Sequence, residues 1–368
     1  MIENTDVFVI GGGPAGLAAA IAARQRGFNV VVADGAEPPI DKACGEGLLP
    51  DAVHVLARLG IEISGAERFE LQGIRFLDAD LKVDAHFPAG QGIGVRRAVL
   101  HESMVERARK VGVTLLWKTP VSGISSAGVI TDRQTVGARW IIGADGIRSR
   151  VRRWTRLEPL RQHQARFAFR RHYGIQPWCS FTELYWGSDA QAYVTPIGIQ
   201  EVCVVLISSD PRARFASISS KFPQLAERLA SAAPTSVERG AVTLSRSINR
   251  VYRGRVALIG DASGSVDAIT GEGLSLGFHQ ALALGEALEA GDLHDYQIAH
   301  QRLTRRPTMM GRLLLLLDGR PKLRDRAMRA LAAHPDLFAR LVAVHIGNTS
   351  PRHLASTGAL FGWRFVTA

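Results

Sequence analysis

Apolar positions along the chain fall into runs of two periods. Short continuous apolar stretches, the pattern of strands buried on both faces, occur at 6–10, 28–33, 113–117, 140–143 and 256–259. Helical spacing covers 17–26, 51–59, 97–111 and 274–288. The stretch 71–87 reads as a hairpin, and 123–131 as a further strand. From 167 to 209 the pattern alternates, with Phe181, Leu184, Trp186 and Tyr193 set among polar positions. Beyond His300 the chain reads as helix, punctuated by Gly319, Pro321, Pro335 and Pro351.

The alternation of strand and helix at the start predicts a βαβ unit, and the strand-rich middle predicts an antiparallel sheet inserted into it. No internal repeat or low-complexity linker separates the two, so interleaved domains are expected. One would comprise residues 1–68, 94–157 and 248–300, the second 69–93 and 158–247, and a helical cap 301–368.

With 46% hydrophobic and 21% charged residues, 368 residues suffice for a large core, which excludes a disordered chain. Cys44, Cys179 and Cys203 are scattered, with no pair at metal-ligand spacing. Neither a disulfide framework nor a metal site is expected. The formal charge of +11 is carried mostly by dispersed Arg with no nucleic-acid motif beside it. It suits solvated faces and an anionic cofactor better than a nucleic-acid partner. No secretory signal opens the sequence, and the longest aliphatic run, 313–317, is too short to span a bilayer. A cytoplasmic protein is expected. The Arg-rich amphipathic stretch after Arg302 packs as a cap or, alternatively, contacts a membrane peripherally.

The chemistry begins at Gly11, Gly13 and Gly16, a GxGxxG turn between strand and helix that includes Pro14 and Ala15, with Asp34 closing the next strand. The first glycine permits the tight turn, the second lets backbone amides approach a pyrophosphate, and the third allows close helix packing. Asp34 is placed to accept from a ribose. Gly90, Gly92 and Gly94 also alternate, but without strand-turn-helix register, and read as a loop.

Two further segments are Gly143-Ala144-Asp145-Gly146 and Gly260-Asp261-Ala262, the latter running into Gly271-Glu272-Gly273. Here the chain resembles the FAD-dependent aromatic hydroxylases, geranylgeranyl reductases and flavin-dependent halogenases. The resemblance implies an α/β fold: a Rossmann-like FAD domain, an inserted antiparallel substrate sheet and a helical C-terminal region. It further implies non-covalent FAD, NADH or NADPH as a transient reductant, Asp145 and Asp261 on the cofactor, and Arg97 against it, Arg96 being the surface alternative. By the same resemblance Gly273 opens a helix aimed at the flavin pyrimidine ring.

Within that family the signals divide. Gly264, Glu272 and the Cys44-Gly45-Glu46-Gly47 loop resemble the reductases, whose Cys-Gly pair lies beside the isoalloxazine. The segment 193–198 lacks the reductases' Trp, and Trp178, Trp186 and Lys82 do not form the halogenase signature. Cys44, His172 and Tyr193 are the catalytic candidates; Glu46, Tyr173, Trp186 and Pro196 are candidate substrate contacts. The expected reaction is hydroxylation of a small hydrophobic molecule, phenolic or polyketide-derived, with NAD(P)H and O2. Saturation of an isoprenoid C=C bond is the alternative, and a non-catalytic redox sensor the third reading.

Overall fold

The computed structural model describes residues 2–157, 159–162 and 165–347. The expected cap's last stretch, 348–368, lies outside the described residues. The chain opens with β1 (Asn4–Ile10), α1 (Pro14–Arg24) and β2 (Val30–Ala33), followed by α2 (Pro50–Leu59). Next come the hairpin strands β3 (Gly73–Asp78) and β4 (Leu81–His86), then α3 (Arg97–Lys110), β5 (Thr114–Leu116) and β6 (Thr135–Gly143). The middle of the chain supplies β7 (Arg166–Gly174), β8 (Phe181–Trp186), β9 (Ala190–Gly198), β10 (Glu201–Ser208) and β11 (Arg239–Thr243). After β12 (Val256–Leu258) come α4 (Gly273–Ala290), α5 (Leu293–Asp318), α6 (Pro321–Ala333) and α7 (Pro335–His345).

In the first sheet β12, β6, β1, β2 and β5 lie side by side and parallel. Its central strands are buried on both faces, as their continuous apolar runs require. One face packs on α1, α3 and α4, where Leu17, Ile21, Leu100, Met104 and Phe278 share a core with Val7 and Val9. The helices α1 and α4 pack closely because small residues meet: Gly277 faces Ala15.

The second sheet runs β7, β10, β9, β8, β3, β4, antiparallel except where β8 lies parallel to β3, with β11 on the outer side of β7. One face of it buries Tyr173, Tyr185, Val194 and Val204 under Phe215, Phe222 and Leu225. The hairpin end is covered by α6 and α7, through Met328, Leu331, Leu337 and Phe338. None of the described helices is long and apolar enough to cross a membrane.

One expectation needs correction. Residues Gly92–Val95 form a strand, paired with Gly47–Leu48 and Arg68–Leu71. Its glycines are there for close approach: a Cβ at Gly94 would overlap the Pro196 carbonyl, and one at Gly92 would stand 2.7 Å from the Leu48 carbonyl oxygen. Side chains are missing from one face only, at Gly92 and Gly94, which lets that face lie under β9, while Ile93 and Val95 on the other enter the core.

Candidate active site

The glycine turns singled out in the sequence converge on one cavity of about 450 Å³ between the two sheets. Its polar wall comes from the loops at the carboxyl ends of the parallel strands, where α/β sheets place their ligands. Gly13, Pro14, Ala15, Asp34, Arg97, Asp145, Gly146, Gly260 and Asp261 are all on it. Gly11 takes φ +114°, which favours glycine, and a Cβ there would also meet the Ala144 carbonyl oxygen at 2.5 Å; Gly16 packs on the Gly11 carbonyl. Gly13, Gly45, Gly146, Gly271 and Gly273 border the cavity, except that Gly11 and Gly16 lie behind it. A Cβ at any of those five would meet no protein atom within 4 Å.

The electrostatics of this wall suit a dinucleotide. The amino ends of α1 and α4 carry no side-chain cap and no acidic residue in the first turn, so their amide groups stay open to an anion. Asp34 takes the amides of Gly12 (2.7 Å) and Ala36 (2.8 Å), one per oxygen, which leaves lone pairs for a hydroxyl donor. Asp145 caps the turn at Arg150 and Val151 with Oδ2, while its buried Oδ1 has no partner in the protein. The Nε of Arg97 is likewise buried without one. Such orphaned groups are costly unless a ligand satisfies them. Asp261, half-exposed, meets Lys42 at 3.2 Å. These residues could hold FAD, with Gly13 and the start of α1 at the pyrophosphate.

His101, absent from the sequence reading, pins the glycine turn from below. Its Nε2 lies 2.8 Å from the Gly12 carbonyl and its Nδ1 accepts from the Ile40 amide at 3.3 Å, which fixes a neutral tautomer. Burial lowers its pKa, reinforcing that state. Only its helical register on α3 hints at this in the sequence.

The remaining candidates separate by position. Cys44, Gly45 and Tyr193 line the cavity. The Tyr193 hydroxyl donates to the Ile269 carbonyl, and burial raises its pKa. Glu46 and His172 do not reach the cavity. Glu46 has φ +59°, and its buried carboxylate accepts from Arg170 (2.7 Å) and the Arg97 amide (3.0 Å), with the His172 ring at 2.6 Å. Arg170 in turn grips Asp41, so this network clamps the 41–47 loop onto β7. A substrate contact by Glu46 is thus replaced by a role in holding the loop. Glu46, His172 and Cys203 place ligand atoms within 4.8 Å of one another, but Arg170 already neutralises the carboxylate.

Tyr173 packs against Phe215 on the far face of the second sheet. Pro196 faces Gly94 and a small crevice on that side, and Trp186 is buried between Phe76 and the Arg324 guanidinium. The expected contacts of these three with substrate are therefore corrected: alternation along β7 and β9 turns Tyr173 and Pro196 to the far face, while Trp186 shares the face of Leu184 but sits at the strand end, outside the cavity and under Arg324.

The apolar wall was only partly visible in the sequence. Leu71, Ile74, Phe76, Leu184, Val205 and Ile207 come from the sheets. Opposite them stand Met310, Leu313, Leu314 and Leu317 of α5, and Leu331, Phe338, Leu341 and Val342 of α6 and α7. The C-terminal helices are thus a wall of the site as well as a cap.

Known proteins agree with this geometry. Menaquinone reductase of Mycobacterium tuberculosis is 30% identical over 319 residues, covering 79% of this chain and 78% of the relative. Digeranylgeranylglycerophospholipid reductase 1 of Methanothermobacter thermautotrophicus is 27% identical, covering 83% of each. A flavoprotein/dehydrogenase structure from Cytophaga hutchinsonii shares the fold, with a TM-score of 0.81 at 19% identity over 94% of this chain and 93% of that one. Residues 4–291 match the FAD binding domain family, so the chain belongs to that family and is an FAD-dependent oxidoreductase.

Proposed function

We propose that the protein reduces a C=C bond in a polyprenyl chain carried by a quinone or lipid headgroup, with NADH or NADPH as the transient reductant. The observation that carries this reading is the apolar wall: about a dozen aliphatic and aromatic side chains, from the antiparallel sheet, the strand Arg68–Leu71 and three helices, bound the space beside the cofactor turns. A long hydrocarbon gains from each of those surfaces, at roughly 25 cal/mol per Å² of apolar area buried. The two reductase relatives act, by their names, on menaquinone and on a geranylgeranyl phospholipid, and both align along most of the chain.

FAD supplies the redox chemistry when bound, and the chain's own residues position the alkene and exclude water. The loop 41–47, clamped through Glu46 and Arg170, holds Cys44 and Gly45 at the cavity. Tyr193 and Thr195 floor it from β9.

Hydroxylation of a hydrophobic ring is the second reading, and the 193–198 segment, which lacks the reductases' Trp, favours it. Only Tyr193 and Thr195 of that segment line the cavity, so its weight against reduction is small. One assay separates the two: NAD(P)H turnover of a geranylgeranyl lipid or polyprenyl quinone, run anaerobically and then in labelled oxygen. Reduction predicts an anaerobic product heavier by two hydrogens; a product carrying one labelled oxygen overturns it.

A peripheral membrane contact fits the same substrate. On α5, Arg305, Met309, Arg312 and Leu316 are exposed at spacings of four, three and four, one stripe of the helix. Its opposite side lines the cavity. Co-sedimentation with anionic but not with neutral vesicles is the expected result.

A further inference from the structure

The turn entering α4 carries a buried carboxylate that the reading above leaves unused. Glu272 stands between Gly271 and Gly273, both on the cavity wall, and is itself only 2% exposed. Charged groups from three other elements face it. Arg306 of α5 approaches Oε1 at 3.4 Å, and His345 of α7 brings Nδ1 to 3.4 Å from Oε2. Asp51 of α2 adds negative potential, although Ser275 and His279 of α4 hold its own carboxylate, at 2.5 and 3.2 Å.

The protons in this cluster can be counted. The Nε2 of His345 lies 2.9 Å from the Thr270 carbonyl oxygen, which only accepts, so Nε2 carries a hydrogen. Neither His345 Nδ1 nor Glu272 Oε2 has a hydrogen-bond partner among the described residues. One proton between them satisfies both atoms, written either as imidazolium beside carboxylate or as imidazole beside carboxylic acid. Burial, the largest influence, raises the Glu272 pKa, and Asp51 adds to it; His345 and Arg306 oppose. The pair therefore keeps its proton above the ordinary carboxylate range.

Of the histidines described, His345 is the one that lines the cavity. The Tyr193 hydroxyl there donates to the Ile269 carbonyl and Asp267 pairs with Arg166 at 2.8 Å; what sets His345 apart is a buried carboxylate behind its other ring nitrogen, able to replace a proton it gives up.

We propose that His345 is the proton donor of the reduction and that Glu272 is its proton reserve, a role that rests on the reductase reading. Saturating a C=C bond needs a hydride, which the reduced flavin provides, and a proton. The hydride pair makes one C–H bond, and the π pair makes the other by taking the Nε2 proton of His345. That proton leaves the Thr270 carbonyl for the substrate carbon, and the proton shared with Glu272 settles on Nδ1. The pair ends as neutral imidazole and carboxylate, to be reloaded from solvent. The donor is cationic or hydrogen-bonded to an acid in every loaded state, so no unpaired charge is buried during the cycle.

The test uses pre-reduced holoenzyme mixed anaerobically with a geranylgeranyl lipid. His345→Asn should slow product formation by about 100-fold or more, the scale of general acid catalysis, with flavin reduction by NAD(P)H and FAD affinity unchanged. Glu272→Gln should move the alkaline limb of the pH profile to lower pH, because the pair loses the carboxyl group whose raised pKa keeps its proton. A His345→Asn protein as fast as wild type, or, if that variant misfolds, an unmoved limb in Glu272→Gln, overturns the proposal alone. A wild-type protein that forms no anaerobic product overturns the reductase reading and this role with it.

Discussion

The space around the first glycine turn can be tested by adding one methyl group at two positions. Gly13 has φ −71° and ψ 174°, a conformation any residue adopts, and a Cβ there would point into the cavity without touching protein. Gly13→Ala should leave the apoprotein as stable as wild type, or firmer by about 0.4–1 kcal/mol through its stiffer unfolded chain. The same methyl occupies the ground a pyrophosphate needs. Overpacking of about 1–3 kcal/mol weakens FAD binding roughly 5- to 150-fold.

Gly16→Ala is the contrasting change. Its Cβ would overlap the Gly11 carbonyl and stand 3.1 Å from the Ala144 Cβ, and backbone in a tight turn cannot swing aside. The cost of about 1–3 kcal/mol or more then falls on the fold itself, before any cofactor binds. Urea unfolding of flavin-stripped protein measures the first quantity, and titration of FAD by flavin fluorescence measures the second. If Gly13→Ala bound FAD as tightly as wild type, the phosphates would not approach this backbone. If it unfolded as early as Gly16→Ala, the space beside Gly13 would not be open.

Asp261→Ala should lower FAD occupancy without shifting apoprotein stability, since its side chain is 38% exposed, whereas Asp267→Ala breaks a buried pair with Arg166 and should cost about 3–5 kcal/mol in urea unfolding. Heat denaturation should release the flavin into the supernatant; colour retained in the pellet would mean a covalent link, with Cys44 the first residue to examine by peptide mass. Burial holds the His300 pKa down at about 4. The unfolded chain therefore takes up a proton below about pH 6.5 that the native state refuses, and stability should fall by about 2 kcal/mol from pH 7 to pH 5. His300→Gln should flatten that slope in urea titrations at the two pH values.

What the sequence reveals here follows the range of the physics involved. The turn at Gly11 to Gly16 and its Asp34 were legible because strand, helix and acid lie within one short βαβ unit. Asp145 and Asp261 needed family resemblance, as nothing local says that two strand ends 116 residues apart meet at one cavity. Glu46 reads as a loop carboxylate until Arg170 and His172, on a strand more than 120 residues later, are seen to enclose it. Tyr173 and Pro196 were misplaced because a strand's alternation tells which residues share a face but not which face is the cavity, and Trp186 because pattern does not say how far along a strand the cavity reaches. The Gly92–Val95 strand was missed because alternate glycines leave one face blank and only Ile93 and Val95 to carry the pattern, and the α5 to α7 wall because an amphipathic helix looks the same over a core or a ligand.

The polar wall of the cavity is contributed by turns near residues 13, 145 and 261, joined by strand pairing between segments such as Asn4–Ile10 and Thr135–Gly143. During synthesis, that wall cannot be complete until the ribosome has released well over two thirds of the polypeptide. FAD is therefore a late arrival that rewards completion of the whole assembly: free cofactor at 100 times its dissociation constant deepens the native well by about 2.7 kcal/mol. For a cell short of riboflavin, the first symptom would be fewer surviving copies of the protein, as proteases claim chains left without their clasp.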